Sequence, residues 1–139
     1  YIWHTACFVL NSSNSRYFTQ RESIIQTDEP IFQEEFEAWK YGPVMTDIRR
    51  MYKDGSLTKA IPESIADRYK KIFDVVFETY AGKDSWSLSS ITHGEYCWEK
   101  ARNGISENEN CDRKIDTNDI RRDAGRIKIR RLLYKKLMN

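Results

Sequence analysis

The sequence is short of the residues that carry most enzyme chemistry. Among its 139 residues are two histidines, His4 and His93, and three cysteines, Cys7, Cys97 and Cys111. An odd cysteine count without a C-x-x-C pair argues against a secreted disulfide scaffold and for a reducing cytoplasm. Six glycines and three prolines form no glycine-rich loop that could cradle a phosphate; Gly42-Pro43 and Asp54-Gly55 are isolated breaks. No apolar run approaches the ~20 residues that span a bilayer, so no membrane association is expected. Tyr1 to Ser15 carries no charge, yet a signal peptide would need a basic start and a small-residue cleavage site. Cys7-Phe8-Val9-Leu10 therefore reads as part of a core helix, in a cytoplasmic protein.

What is present suits a packed domain with a solvated surface. Apolar residues make up 40% of the chain and charged residues 32%, and this length fits one domain with one hydrophobic core. Ile65, Tyr69, Ile72, Phe73, Val76, Phe77 and Tyr80 recur at helical spacing and predict a long helix over 62–80, one stripe inward. Pro62 suits its first turn, and Gly82 suits a left-handed C-cap. Val44 to Lys53 reads as a shorter helix with Ile48, Met51 and Tyr52 inward. Tyr17 to Gln26 reads as another short helix. Ile31-Phe32 and Phe36 to Lys40 lean towards β structure and suggest a short hairpin before the Gly42-Pro43 turn.

Beyond Gly82, Asp84 or Ser85 would cap a helix carrying Trp86, Leu88 and Ile91, ended by His93-Gly94. Trp98 to Arg102 reads as a further short helix, and Asn103 to Lys114 as a flexible loop. The last helix is expected over about 118–137, with Ile120, Ala124, Ile127, Leu133 and Leu137 packing inward. The fold class is mainly α, a compact multi-helix single domain.

Two blocks go beyond generic helix pattern: PIFQEEFEAWKYGPV from Pro30 to Val44, and SWSLSSITHGEYCWEKAR from Ser85 to Arg102. They resemble the two hallmark segments of the Panacea domain, also described as SocA-like or phage-associated antitoxin proteins. The residues that carry the match are Phe36, Ala38, Trp39, Gly42, Pro43 and Val44 in the first block. In the second they are Trp86, Leu88, Thr92, His93 and Trp98. The likeness covers about residues 1–102, with a weaker echo at Ile115 and Asp119-Ile120. Cys97 stands where the family has proline, the stretch from Asn11 to Asp28 is longer than usual, and the basic tail extends past Arg121. The resemblance implies a non-enzymatic protein that neutralises a toxin encoded beside it, some members acting as adaptors that pass the toxin to a protease. It fits phage and prophage settings. The tryptophans and Tyr41 also have a packing reading, as anchors of the core.

Catalysis has thin support. Thr92-His93-Gly94-Glu95 could set an imidazole beside a carboxylate with Cys97 close in sequence, but base, orienter and oxyanion donors are needed together. His93, Cys97 and Cys111 supply three metal ligands where structural zinc takes four at tighter spacing. No metal and no cofactor is expected. Charge is more telling. Residues 121–139 hold eight basic residues and one acid, a net +7 against +2 for the whole chain. Such a split suits a solvated helix face, an acidic partner protein or a nucleic acid. The candidate partner contacts are Tyr41, Arg49, Arg50 and His93 near the two blocks, and Arg122, Arg126 and Arg130 on the basic helix.

Overall fold

The computed structural model describes Thr5, residues 9–46, Asp67 and residues 69–138. Its described elements, in chain order, are α1 (Ser13–Thr27), β1 (Glu37–Trp39), β2 (Gly42–Val44), α2 (Lys70–Tyr80), α3 (Ser85–His93), α4 (Tyr96–Ala101) and α5 (Thr117–Met138). This is a mainly α domain with one small antiparallel sheet. His4, Arg49, Arg50, Cys7, most of the expected helix over 44–53 and the start of the one over 62–80 lie outside the described residues.

The spine is α1, longer than the short helix expected there. The Ser12 hydroxyl caps it by accepting from the Ser15 amide, and Asp28 closes it in the left-handed region at φ 63°. Residues 15 to 25 are all buried, because α2, α3, α5 and β2 pack round the helix. A helix buried on every side must give each polar side chain a partner. Gln20 shows how. Its Oε1 accepts from the amides of Ile31 and Phe32, and its Nε2 donates to the Phe32 carbonyl, at 2.9 to 3.0 Å. That corrects the strand expected at Ile31-Phe32: the segment bonds to a side chain, not to a strand.

The hairpin itself pairs Glu37 with Val44, Ala38 with Pro43 and Trp39 with Gly42. Its turn is therefore Lys40-Tyr41, and Gly42-Pro43 forms the second strand instead of following the hairpin. The polar stretch after α4 is tied down as well. Arg102 donates to the carbonyls of Ser106 and Glu109. The Ala38 amide bonds the Arg113 carbonyl, and the Ile115 amide that of Phe36.

In α2 the expected stripe is inward: Ile72, Phe73, Val76 and Tyr80 are buried, and Tyr80 stacks on Phe18 at 4.0 Å between centroids. The helix ends without the left-handed glycine. Ala81 continues right-handed with its amide on the Phe77 carbonyl, and Gly82 is not among the residues of positive φ. α3 is capped by the Asp84 carboxylate, which accepts from the Ser87 amide; that bond holds the carboxyl below its ordinary range. α5 departs most from expectation. Ile120 and Ala124 are buried and Ile127 partly so, but Leu133 and Leu137 are exposed. The helix outruns the body it packs against, so its C-terminal half carries an apolar face that nothing in the described structure covers.

Candidate functional site

The two sequence blocks meet face to face. Four consecutive hairpin carbonyls each accept a hydrogen bond from a side chain of α3, α4 or the end of α4. Ser89 donates to Tyr41, His93 Nε2 to Lys40, Trp98 Nε1 to Trp39 and Arg102 Nη1 to Ala38, at 2.7 to 3.0 Å. A carbonyl only accepts, so His93 Nε2 is the donor. The imidazole stacks on Trp98 at 4.3 Å, and the Arg102 guanidinium lies over the same indole. The spacing of 89, 93, 98 and 102 comes from two helical steps of four with the break at Gly94 between them. His93 and Trp98 were legible as motif residues; Ser89 and Arg102 were missed, though the repeated step of four was there to read.

Below this ladder runs a buried ionic network. Glu95 pairs with Arg21 of α1 and, at 3.1 Å, with Arg126 of α5. Asp123, 1% exposed, accepts from the amides of Tyr96 and Cys97 and so caps α4 from another helix. Arg131 reaches Glu22 with both terminal nitrogens at 2.9 Å, and that carboxylate raises the arginine further above its ordinary value. None of these partnerships is readable from local pattern.

Neither residue of the imagined Cys/His pair is poised to react. His93 is engaged with Lys40 and Trp98, and the Cys97 sulfur lies 3.1 Å from the Tyr17 hydroxyl. Burial pushes the Cys97 thiol well up, and does the same to the Tyr17 phenol. Among the described residues no three His, Cys, Asp or Glu side chains converge as a metal site. The raised thiol has a measurable consequence. In the unfolded chain it loses its proton near pH 8.5, whereas the folded thiol keeps it. Above that pH the unfolded state binds fewer protons, so stability falls as pH rises, by up to about 1.4 kcal/mol per unit for one such group. Urea midpoints measured from pH 8 to 10 should decline in the natural protein and more shallowly in Cys97→Ala. Parallel profiles would show that Cys97 titrates as freely folded as unfolded.

What the ladder presents outward is a cleft of about 790 Å³ between the hairpin tip, the start of α1 and α3. Tyr41 and Trp86 stand beside it, 60% and 74% exposed, with Pro43, Val44 and Leu88 among its lining. Both aromatics were expected to anchor the core; Trp98 does, and Trp39 is half-buried, but these two face solvent. Its polar wall includes Asn14, whose Oδ1 is buried without a hydrogen-bond partner.

The other sequence-derived contacts scatter. Arg122 stacks over Tyr96 at 4.2 Å, Arg126 joins the Glu95 network, and Arg130 is exposed on the projecting part of α5. No described helix is long and apolar enough to cross a membrane. A family model described as "Antitoxin SocA-like, Panacea domain" matches residues 17–99, from the second turn of α1 into α4. No curated protein and no solved structure matches the chain.

Proposed function

The chain belongs to the SocA-like antitoxin family that carries the Panacea domain, and from that membership we propose that it neutralises a cognate toxin by binding it directly, without catalysis. The observation that carries the reading is the pair of large aromatics, Tyr41 and Trp86, standing exposed beside a cleft on the same face as the family's two blocks. Aromatic side chains displayed on a rigid frame are the usual anchors of protein recognition. The polar groups that might have supported chemistry are instead engaged in holding that frame together. Localisation in the cytoplasm, where the toxin would act, belongs to the same proposal, as does the alternative outcome in which the bound toxin is handed to a protease.

The test is a growth assay with the toxin-like product of the adjacent gene, joined to affinity measurement on purified proteins. The natural chain should rescue growth and form a stable complex. Tyr41→Ala/Trp86→Ala should keep its melting temperature, since neither side chain is in the core. It should lose about 30-fold or more in affinity, the scale of one strong anchor. Rescue without any complex would point to degradation or transcriptional control, and absence of both rescue and binding would end the reading.

The second reading, a nucleic-acid-binding regulator, draws on the basic character of α5, whose Lys128, Arg130, Lys135 and Lys136 make no ion pair among the described residues. Phosphate contacts release counterions, so it requires binding to duplex DNA or RNA that weakens steeply with salt.

A further inference from the structure

One face of α5 is built to receive something. Gly125, Ile129, Leu132, Leu133 and Leu137 recur at i, i+4, i+7, i+8 and i+12, a single stripe along the helix. Ile129, Leu132 and Leu133 are each about 60% exposed and Leu137 85%. At the Gly125 end the stripe does not stop at a convex helix surface. It drops into a notch of about 140 Å³ between α5 and the last turn of α1, floored by Ile24, Ile25 and Ala124. A Cβ added at Gly125 would meet nothing within 4 Å, so the glycine leaves room there that the fold does not need. The notch, at about 140 Å³ against about 30 Å³ for a liquid water, has room for one large apolar side chain.

Charge frames the stripe. On helical geometry Arg121, Lys128 and Lys135 follow one edge, Arg130 the other, and Lys136 closes the end. Arg126, on the same edge as Arg130, and Arg131, on the far side, are already neutralised by Glu95 and Glu22. Arg122 lies over the Tyr96 ring, and the cations of α5 with neither a carboxylate nor a ring partner among the described residues border the apolar face. The stripe also lies outside the segment shared with the family, which ends at residue 99.

We propose that this stripe and notch form a second contact with the toxin, receiving an amphipathic helix that places one large apolar side chain beside Gly125 and has Asp or Glu along its margins. The proposal rests on the antitoxin reading and assigns it a partner chemistry. Helix-in-groove docking is the mode that regularly spaced apolar anchors serve. A second copy of this chain is disfavoured because its own stripe would bring the same cations against these. A phosphate backbone would satisfy the cations but leave the leucines against charge. A lipid surface has no use for a notch walled by α1.

The experiment uses the full chain and the purified toxin from the adjacent gene, with three variants. Gly125→Leu fills the notch in place, and by helix propensity should keep or raise the melting temperature. Leu132→Glu changes a residue that touches no core, so it folds whatever Gly125→Leu does. Lys128→Glu/Lys135→Glu reverses one charged edge. Each should weaken toxin binding about tenfold or more, the charge variant with a reduced salt dependence. Natural affinity in both Gly125→Leu and Leu132→Glu would overturn the proposal while leaving the antitoxin reading intact, since the Tyr41→Ala/Trp86→Ala variant tests that separately. A natural chain that binds no toxin would remove both. A dimer by light scattering that Leu132→Glu dissolves would reassign the face to self-association. Sedimentation with phosphatidylserine vesicles that Leu132→Glu abolishes would reassign it to lipid. Either result overturns the proposal.

Discussion

Gly42→Ala is expected to remove a large share of the fold's stability, although it adds a single methyl group. Gly42 sits at φ 127°, where an L side chain is strained, and the new Cβ would lie 2.3 Å from Asn14 Oδ1 and 2.8 Å from Thr92 Oγ1. Strain of that kind costs about 1–3 kcal/mol, and forcing extra volume into a packed site costs about 1–3 kcal/mol more. The two act together, against a total stability of about 5–15 kcal/mol for a typical domain. Neither neighbour can step aside cheaply. Asn14 is on the first turn of the buried spine, and Thr92, itself fully buried, donates its hydroxyl to the Ser89 carbonyl. Urea unfolding followed by circular dichroism would measure the loss. Gly82→Ala, with open space at the new Cβ and no positive φ, is the control and should stay within about 0.5 kcal/mol. Gly42→Ala/Asn14→Ala should recover the part due to Asn14, and neither the Thr92 contact nor the backbone part. A Gly42→Ala midpoint equal to that of the control would mean that the hairpin relaxes freely, and that the frame is softer than its contacts imply.

Removing Glu95 should be nearly as costly, by a different route. Its side chain is 4% exposed and that of Arg21 6%, so Glu95→Ala strands a buried guanidinium without its carboxylate. Breaking a buried pair from one side costs about 3–5 kcal/mol. Arg21 would retain its bond to the Tyr80 hydroxyl and its place over the Phe18 ring at 5.1 Å, which orient the charge but do not neutralise it. Arg126 loses one of its two carboxylates and keeps Asp123. Replacing both partners with apolar residues removes the stranded charge. Arg21→Met/Glu95→Leu should therefore sit well above Glu95→Ala in stability, within about 2 kcal/mol of the natural chain. Thermal or urea unfolding of the natural chain, Arg21→Met, Glu95→Leu and the double variant completes the cycle. If the double variant were as unstable as the sum of the singles, the pair would be acting as two independent polar residues and the network would not be a unit.

These two positions also show where the sequence is readable. Gly42 was marked by its place in a motif and by the Pro43 beside it. Its constraint from Asn14 and Thr92 was not visible, because those residues stand 28 positions before it and 50 after. The stripe of α2 was legible, since it buries one side only and periodicity reports that directly. α1 was foreshortened for the opposite reason. A helix buried all round, with Arg16, Gln20, Arg21 and Glu22 inside, has no apolar face to detect. What licenses its burial is partners as remote as Arg131, 109 residues away. Trp86 reads by size as a core anchor, and Tyr41 as either an anchor or a partner contact, because size alone does not say which way a side chain points; both face solvent. Leu133 and Leu137 were placed inward because a helical pattern reports a face and not what covers it. At the candidate site, the blocks were legible as blocks, and His93 and Trp98 as members of them. That they grip main chain rather than each other's side chains was not.

That grip has a consequence for how such a protein changes its target. Ser89, His93, Trp98 and Arg102 hold the hairpin by its carbonyl groups, which every amino acid possesses. The clamp is blind to what the tip residues Lys40 and Tyr41 are. Those two positions stand on a fixed mount, where a new side chain alters what faces outward and leaves the mounting untouched. On the proposed reading, retargeting is then a matter of vocabulary at the tip and along the free end of α5, with the grammar of the fold kept whole.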